Sequence, residues 1–131
     1  MIDKILVGMA AGESDGSLTL AAELATSNGA ELVVLELEPL VDARHVFDPA
    51  GAPRRPSRAR QLALEYPGLR VRTSEVRDHP LRALCEIAED EQADLIVVAH
   101  GGSHRSGALL SRRASTALVE RAPCAVLLVA A

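Results

Sequence analysis

Apolar residues fall into short continuous runs, separated by longer stretches in which they recur every three or four positions. Ile5-Leu6-Val7, continuing to about Met9, is the first run, followed by Leu32-Val33-Val34-Leu35, Leu95-Ile96-Val97-Val98 and Ala125-Val126-Leu127-Leu128-Val129. A run apolar at every position suits a strand covered on both faces, as in a parallel sheet. Leu69 to Val76 reads differently. There Leu69, Val71 and Thr73 alternate with Arg70, Arg72 and Ser74, which predicts a sheet-edge strand with one wet face.

The stretches between these runs read as helices. Asp15 or Ser14 can cap one reaching about Asn28, with Leu18, Ala21, Ala22 and Ala25 on one face and Gly29 as its stop. A weaker helix spans about Ser57 to Tyr66, ahead of Pro67-Gly68. The acceptor Asp78, then His79 and Pro80, opens a helix to about Gln92 whose inner face carries Leu81, Leu84, Cys85, Ile87 and Ala88. A short helix passes through Ala114, Ala117 and Leu118 and stops before Pro123. Strands alternating with helices and joined by right-handed crossovers predict an α/β fold. The expected architecture is a doubly wound five-stranded parallel sheet of order 3-2-1-4-5 in an αβα sandwich. One domain over residues 1–131 accounts for the whole pattern, with an irregular excursion at about 40–56 where Pro39, Pro49, Pro53 and Pro56 break the rhythm. Ligands in such sheets bind beyond the carboxyl ends of the strands where the order reverses. Here that predicts the loops Gly8–Ser14 and Ala99–Arg113.

Composition narrows the function. Of 131 residues, 48% are apolar and 24% charged, but only 2% are aromatic, with Tyr66 and Phe47 alone. An aromatic stacking platform for single-stranded nucleic acid is thereby excluded. The net charge of −4 speaks against a nucleic-acid footprint across the domain. Cys85 and Cys124 have no CxxC partner and read as a reduced, buried pair. The amino-terminal residues lack a signal-peptide pattern, and no apolar run approaches the ~20 residues of a membrane span. A cytoplasmic protein without a membrane partner is expected.

Enzyme motifs are missing from both switch loops. A receiver domain would place paired acidic residues after the first strand, where Ala10-Ala11 stand. Gly8, Gly12 and Gly16 miss the spacing of a dinucleotide fingerprint, and neither a Walker A loop nor a G-x-S-x-G elbow occurs. Gly12-Glu13-Ser14-Asp15-Gly16-Ser17 has the composition of a pyrophosphatase-type phosphate loop but not its order. His100 and His104 sit in a loop without further ligands, so no metal site is expected.

The chain resembles the universal stress protein family. The resemblance rests on Lys4-Ile5-Leu6-Val7, Ala21-Ala22-Glu23-Leu24-Ala25, Gly29-Ala30-Glu31-Leu32-Val33-Val34-Leu35, Ala93-Asp94-Leu95-Ile96-Val97-Val98 and Glu120 through Val129, in that order. In nucleotide-binding members the loop after strand four reads Gly, two residues, Gly, nine residues, Gly, then Ser or Thr. Its glycines let backbone N–H groups approach phosphates. Aligned without gaps, this chain puts Ala99, Gly102, Arg112 and Arg113 at those four positions. A gapped register anchored on Arg105-Ser106-Gly107 retains Gly101 but substitutes His104 and Ala114. The Asp that ATP-binding relatives carry after strand one is Ala10 here. The resemblance therefore implies a non-enzymatic stress-response or regulatory protein, with neither ATP nor AMP expected as a cofactor. The alternative is a nucleotide- or anion-sensing protein whose rebuilt loop uses Gly101, Gly102, Arg112 and Arg113. The unguarded apolar run Ala125–Val129 at a sheet edge points to a homodimer through the final strand, as the family also implies. A regulator of the kind the resemblance implies would also contact a protein partner, which stays unidentified.

Overall fold

The computed structural model describes residues 1–10, 16–38, 58–100 and 110–130. In chain order its elements are β1 (Lys4–Ala10), α1 (Gly16–Asn28), β2 (Glu31–Glu38), α2 (Arg58–Glu65), β3 (Val71–Arg77), α3 (Pro80–Glu91), β4 (Leu95–His100), α4 (Arg112–Arg121) and β5 (Ala125–Ala130). All strand pairs are parallel and the sheet order is β3-β2-β1-β4-β5, as the pattern predicts. The excursion expected at 40–56 lies outside the described residues.

Successive side chains on a strand point to opposite faces, and the three central strands use both. Ile5, Val7, Leu32, Val34, Leu95 and Val97 enter one core with Leu18, Ala21, Ala22 and Ala25 of α1 and Leu62 of α2. Leu6, Val33, Leu35, Leu37, Ile96 and Val98 enter the other with Ala83, Leu84 and Ala88 of α3 and Leu118 of α4. The alanines of α1 let its backbone lie close to the sheet. Truncating a wholly buried side chain such as Leu84 or Ile96 to Ala costs about 2–5 kcal/mol.

Helix ends follow local rules. Gly29 stops α1 at φ +65°, a left-handed conformation that costs glycine little, and Gly68 (φ +90°) turns the chain between α2 and β3. Pro80 occupies the first turn of α3, whose N-cap is His79. The acceptor ahead of it serves that cap: Asp78 Oδ1 takes the His79 N–H at 2.6 Å.

Two expectations need correction. β3 was expected to have one dry face, but it has two largely wet ones. Val71 is half-buried against the α1 side and Val76 against the α3 side, while residues 72–75 are exposed. As the outermost strand it borders only β2, and α2 packs against it without covering residues 72–75. Cys85 and Cys124, expected buried, are free thiols that are half-buried, because both pack at the margin of the α3/α4 core. Among the described residues, no helix is long and apolar enough to cross a membrane.

The amino end of the sheet is closed by ionic contacts. Asp94 Oδ2 accepts the N–H of Asp3 at 2.8 Å and of Lys4 at 3.0 Å. Glu91 of α3 takes Arg72 Nη1 at 3.0 Å and Lys4 Nζ at 3.2 Å, and Arg72 Nε also reaches Glu31 at 3.1 Å. The Arg72 hydrogen bond, then that of Lys4, holds the Glu91 carboxyl below its usual range. The two backbone N–H groups, Asp3 first, do the same for Asp94. Carboxylates held low favour the folded state above their unfolded pKa and lose that contribution as pH falls through the folded one. Asp94→Ala should therefore lower the melting temperature at pH 7, with the gap to the parent closing as pH drops below about 4. Thermal unfolding at pH 7 and pH 3 checks this, and an equal gap at both would be the contrary result.

Candidate functional site

Between β1 and β4 the connections reverse direction. β1 pairs with β2 from Lys4↔Glu31 to Ala10↔Leu37, and with β4 from Ile5↔Leu95 to Gly8↔Val98. From the carboxyl end of β1 the chain goes to α1 on one face, and from that of β4 to α4 on the other. A crevice forms outside such a divergence. Both strands run further than their loops were expected to allow. Gly8 is a ladder residue opposite Leu35 and Val98, while Ala99 and His100 pair with Val129 and Ala130.

On the α4 side, Leu110 is buried in the α3/α4 core and anchors the incoming chain. Ser111 is the N-cap, in extended conformation, its Oγ accepting the Ala114 N–H at 3.2 Å. Arg112 and Arg113 then form the first two helical positions, and Thr116 Oγ1 donates back to the Arg112 carbonyl at 3.1 Å. Both arginine side chains are exposed, and neither has an ion pair with a described residue. The first turn holds no acidic residue. A helix start carries partial positive charge, so a cation there is disfavoured by about 0.3–1 kcal/mol and an anion favoured by a similar amount. The local field thus suits a bound anion better than an empty turn.

Of the four residues expected to form the loop, Arg112 and Arg113 stand at the carboxyl end of the sheet. Gly101 and Gly102 lie outside the described residues, as do His104 and positions 11–15. Ala10, where relatives that bind ATP carry an acid, closes β1 and is half-buried. The capping role of Ser111 escaped the sequence reading, although a Ser just ahead of an amphipathic run is a legible cap signal. Among the described residues, no group of three or more His, Cys, Asp or Glu is placed to hold a metal. Burial pushes both cysteine thiols up, opposite to what a reactive thiolate needs.

This order of strands, with a switch point between the first and fourth, defines a doubly wound α/β sandwich. The chain belongs to the universal stress protein family, whose model matches residues 1–130. It is similar in structure to the universal stress protein UspA from Lactobacillus plantarum, at 19% identity and TM-score 0.68, with 98% of this chain and 97% of that one covered. A universal stress protein in complex with cAMP aligns at 19% identity and TM-score 0.61, covering 98% and 97% of the two chains. The universal stress protein from Archaeoglobus fulgidus in complex with dAMP aligns at 18% identity and TM-score 0.54, covering 98% of each. At these identities the likeness is one of fold. No curated protein matches the sequence.

Replacing Ser111 with Ala should cost about 1 kcal/mol of folding stability by leaving the Ala114 N–H without its cap. Urea unfolding measures it, and an unchanged midpoint would mean that the cap bond is idle.

Proposed function

We propose that this protein is a small cytoplasmic regulator of the stress response that is non-enzymatic, acts as a homodimer through β5 to contact a protein partner, and works without ATP. The observation that supports this most is the state of β5. It is the outermost strand beyond β4, apolar from Ala125 to Ala130, and Val126 to Val129 are each only half-buried. Val126 and Leu128 pack against one core and Leu127 and Val129 against the other, so a partner strand would cover both faces of the edge at once. Natural edges of this length usually carry a lysine, a proline or a bulge, and this one has none. An antiparallel copy across a two-fold axis is the simplest cover. The protein should be dimeric at tens of micromolar by light scattering, and Val126→Lys or Leu128→Lys should make it monomeric. A monomeric parent, or a dimer that both substitutions leave intact, would refute the interface.

A second reading keeps the site as an anion or nucleotide sensor. Two observations favour it: the paired arginines at the start of α4, and relatives whose structures hold cAMP and dAMP. Under this reading Arg112 and Arg113 hold the anion by charge-assisted hydrogen bonds, with Gly101 and Gly102 supplying backbone. The missing acid at Ala10 and the missing Gly and Ser/Thr at Arg112 and Arg113 weigh against family-type ATP binding. Unmet groups cost about 1–3 kcal/mol each, enough to leave the dissociation constant for Mg-ATP no tighter than about 1 mM. Calorimetry decides between the two: a micromolar constant would overturn the first reading. Sulfate or phosphate should raise the melting temperature only while Arg112 and Arg113 are present, and a shift that survives replacing both with Ala would remove them from the site.

A further inference from the structure

A groove of about 600 Å³ lies between α3, the turn that precedes it and the last turn of α4. Its size falls in the range of small-molecule sites. Leu81 and Cys85, one helical turn apart, line it and are half-buried at the margin of the α3/α4 core. Packing against sheet and α4 accounts for only part of each side chain, so an apolar stripe remains open to a ligand.

The charges around this stripe are unevenly satisfied. Arg82 Nη2 meets Asp78 Oδ1 at 3.0 Å and Arg82 Nε meets Glu86 Oε1 at 4.0 Å, an i,i+4 ladder along the rim. His79, exposed beside Asp78, is the remaining titratable group at that end. Arg121, which lines the groove from the last turn of α4, has no hydrogen bond or ion pair with a described residue. Its positive charge lies close enough to Cys85 to act on the thiol. The rim is formally neutral, yet its anions share one arginine while Arg121 is left without a partner among the described residues. Ligands pair with local groups and not with a net sum, so the open position is one for an anionic head beside an apolar body.

We propose that this groove binds a small, freely diffusing amphipathic monoanion, its apolar body on Leu81 and Cys85 and its carboxylate on Arg121. Decanoate is a suitable probe, with a dissociation constant on the order of 1 mM or tighter for its size. Titrated into the 15N-labelled protein, it should shift the amides of residues 81–86 and 121 saturably. Arg121→Gln, an exposed change that leaves the core alone, should weaken binding about fivefold, the scale of one exposed ion pair. Decanol, equally apolar and uncharged, should bind more weakly than decanoate. In a Cys124→Ser variant, decanoate should slow alkylation of Cys85. The proposal is overturned by shifts that fail to saturate, by shifts that map to β5 instead, or by an Arg121→Gln protein that binds equally well. Equal binding of decanol would also overturn it, as would an acidic amphipathic peptide that occupies the groove where decanoate does not.

Discussion

Everything in this fold is arranged around β1. Both of its hydrogen-bonding edges are taken, one by β2 and one by β4, and both of its faces are buried, by Ile5, Val7 and Met9 on one side and Leu6 on the other. Between Ile5 and Met9 the strand has no surface left to solvent, and a polar side chain there would go unsatisfied, which costs a few kcal/mol in an apolar core. The strand also cannot be extended or shifted in register without breaking two ladders together. The helices must therefore divide between the two faces, and the connections leaving β1 and β4 must separate. The site at the carboxyl ends follows from the burial of a seven-residue strand at the centre.

The same constraint makes the fold legible in the sequence. Val33 and Val34, or Ile96 and Val97, have neighbours of the same kind on both sides, and only a doubly covered strand accepts such a run. The breaks at Gly29 and Pro80 fixed where helices stop and start. Legibility failed where a residue's environment depends on how far a neighbouring element reaches. Thr73 was placed on a dry face by alternation, but dryness at an edge depends on a helix extending over it. Cys85 was assigned inward by helical period, which gives direction but not depth. At the site, Arg112 and Arg113 were found by comparison with a signature that they break. Their place on the first turn of α4 follows from the Ser111 cap, a local bond that the spacing of glycines does not encode.

The two ends of the sheet are built from different materials. At the amino end, Asp94, Glu91, Arg72 and Lys4 tie backbone and side chains from β1, β3, α3 and the turn before β4 into one set of contacts. None of these groups is near the switch point. At the carboxyl end, the arginines of α4 are unengaged by described residues. Rigid attachment and adaptable chemistry are thus separated along the strand axis, so substitutions at one end can be tolerated without loss at the other.

The wetness of β3 bears on how large an assembly this chain can form. As the outermost strand, β3 carries Glu75 and Arg77 as exposed charges, and these discourage another strand from adding there. The sheet therefore has one apolar border and one charged border. The isologous pairing proposed through β5 would consume the apolar border of both copies and leave a β3 at each end, so the combined sheet would have nowhere to grow. An apolar strand that would seed open-ended fibres in a protein with two such borders would, under the proposed pairing, be confined to closed assemblies.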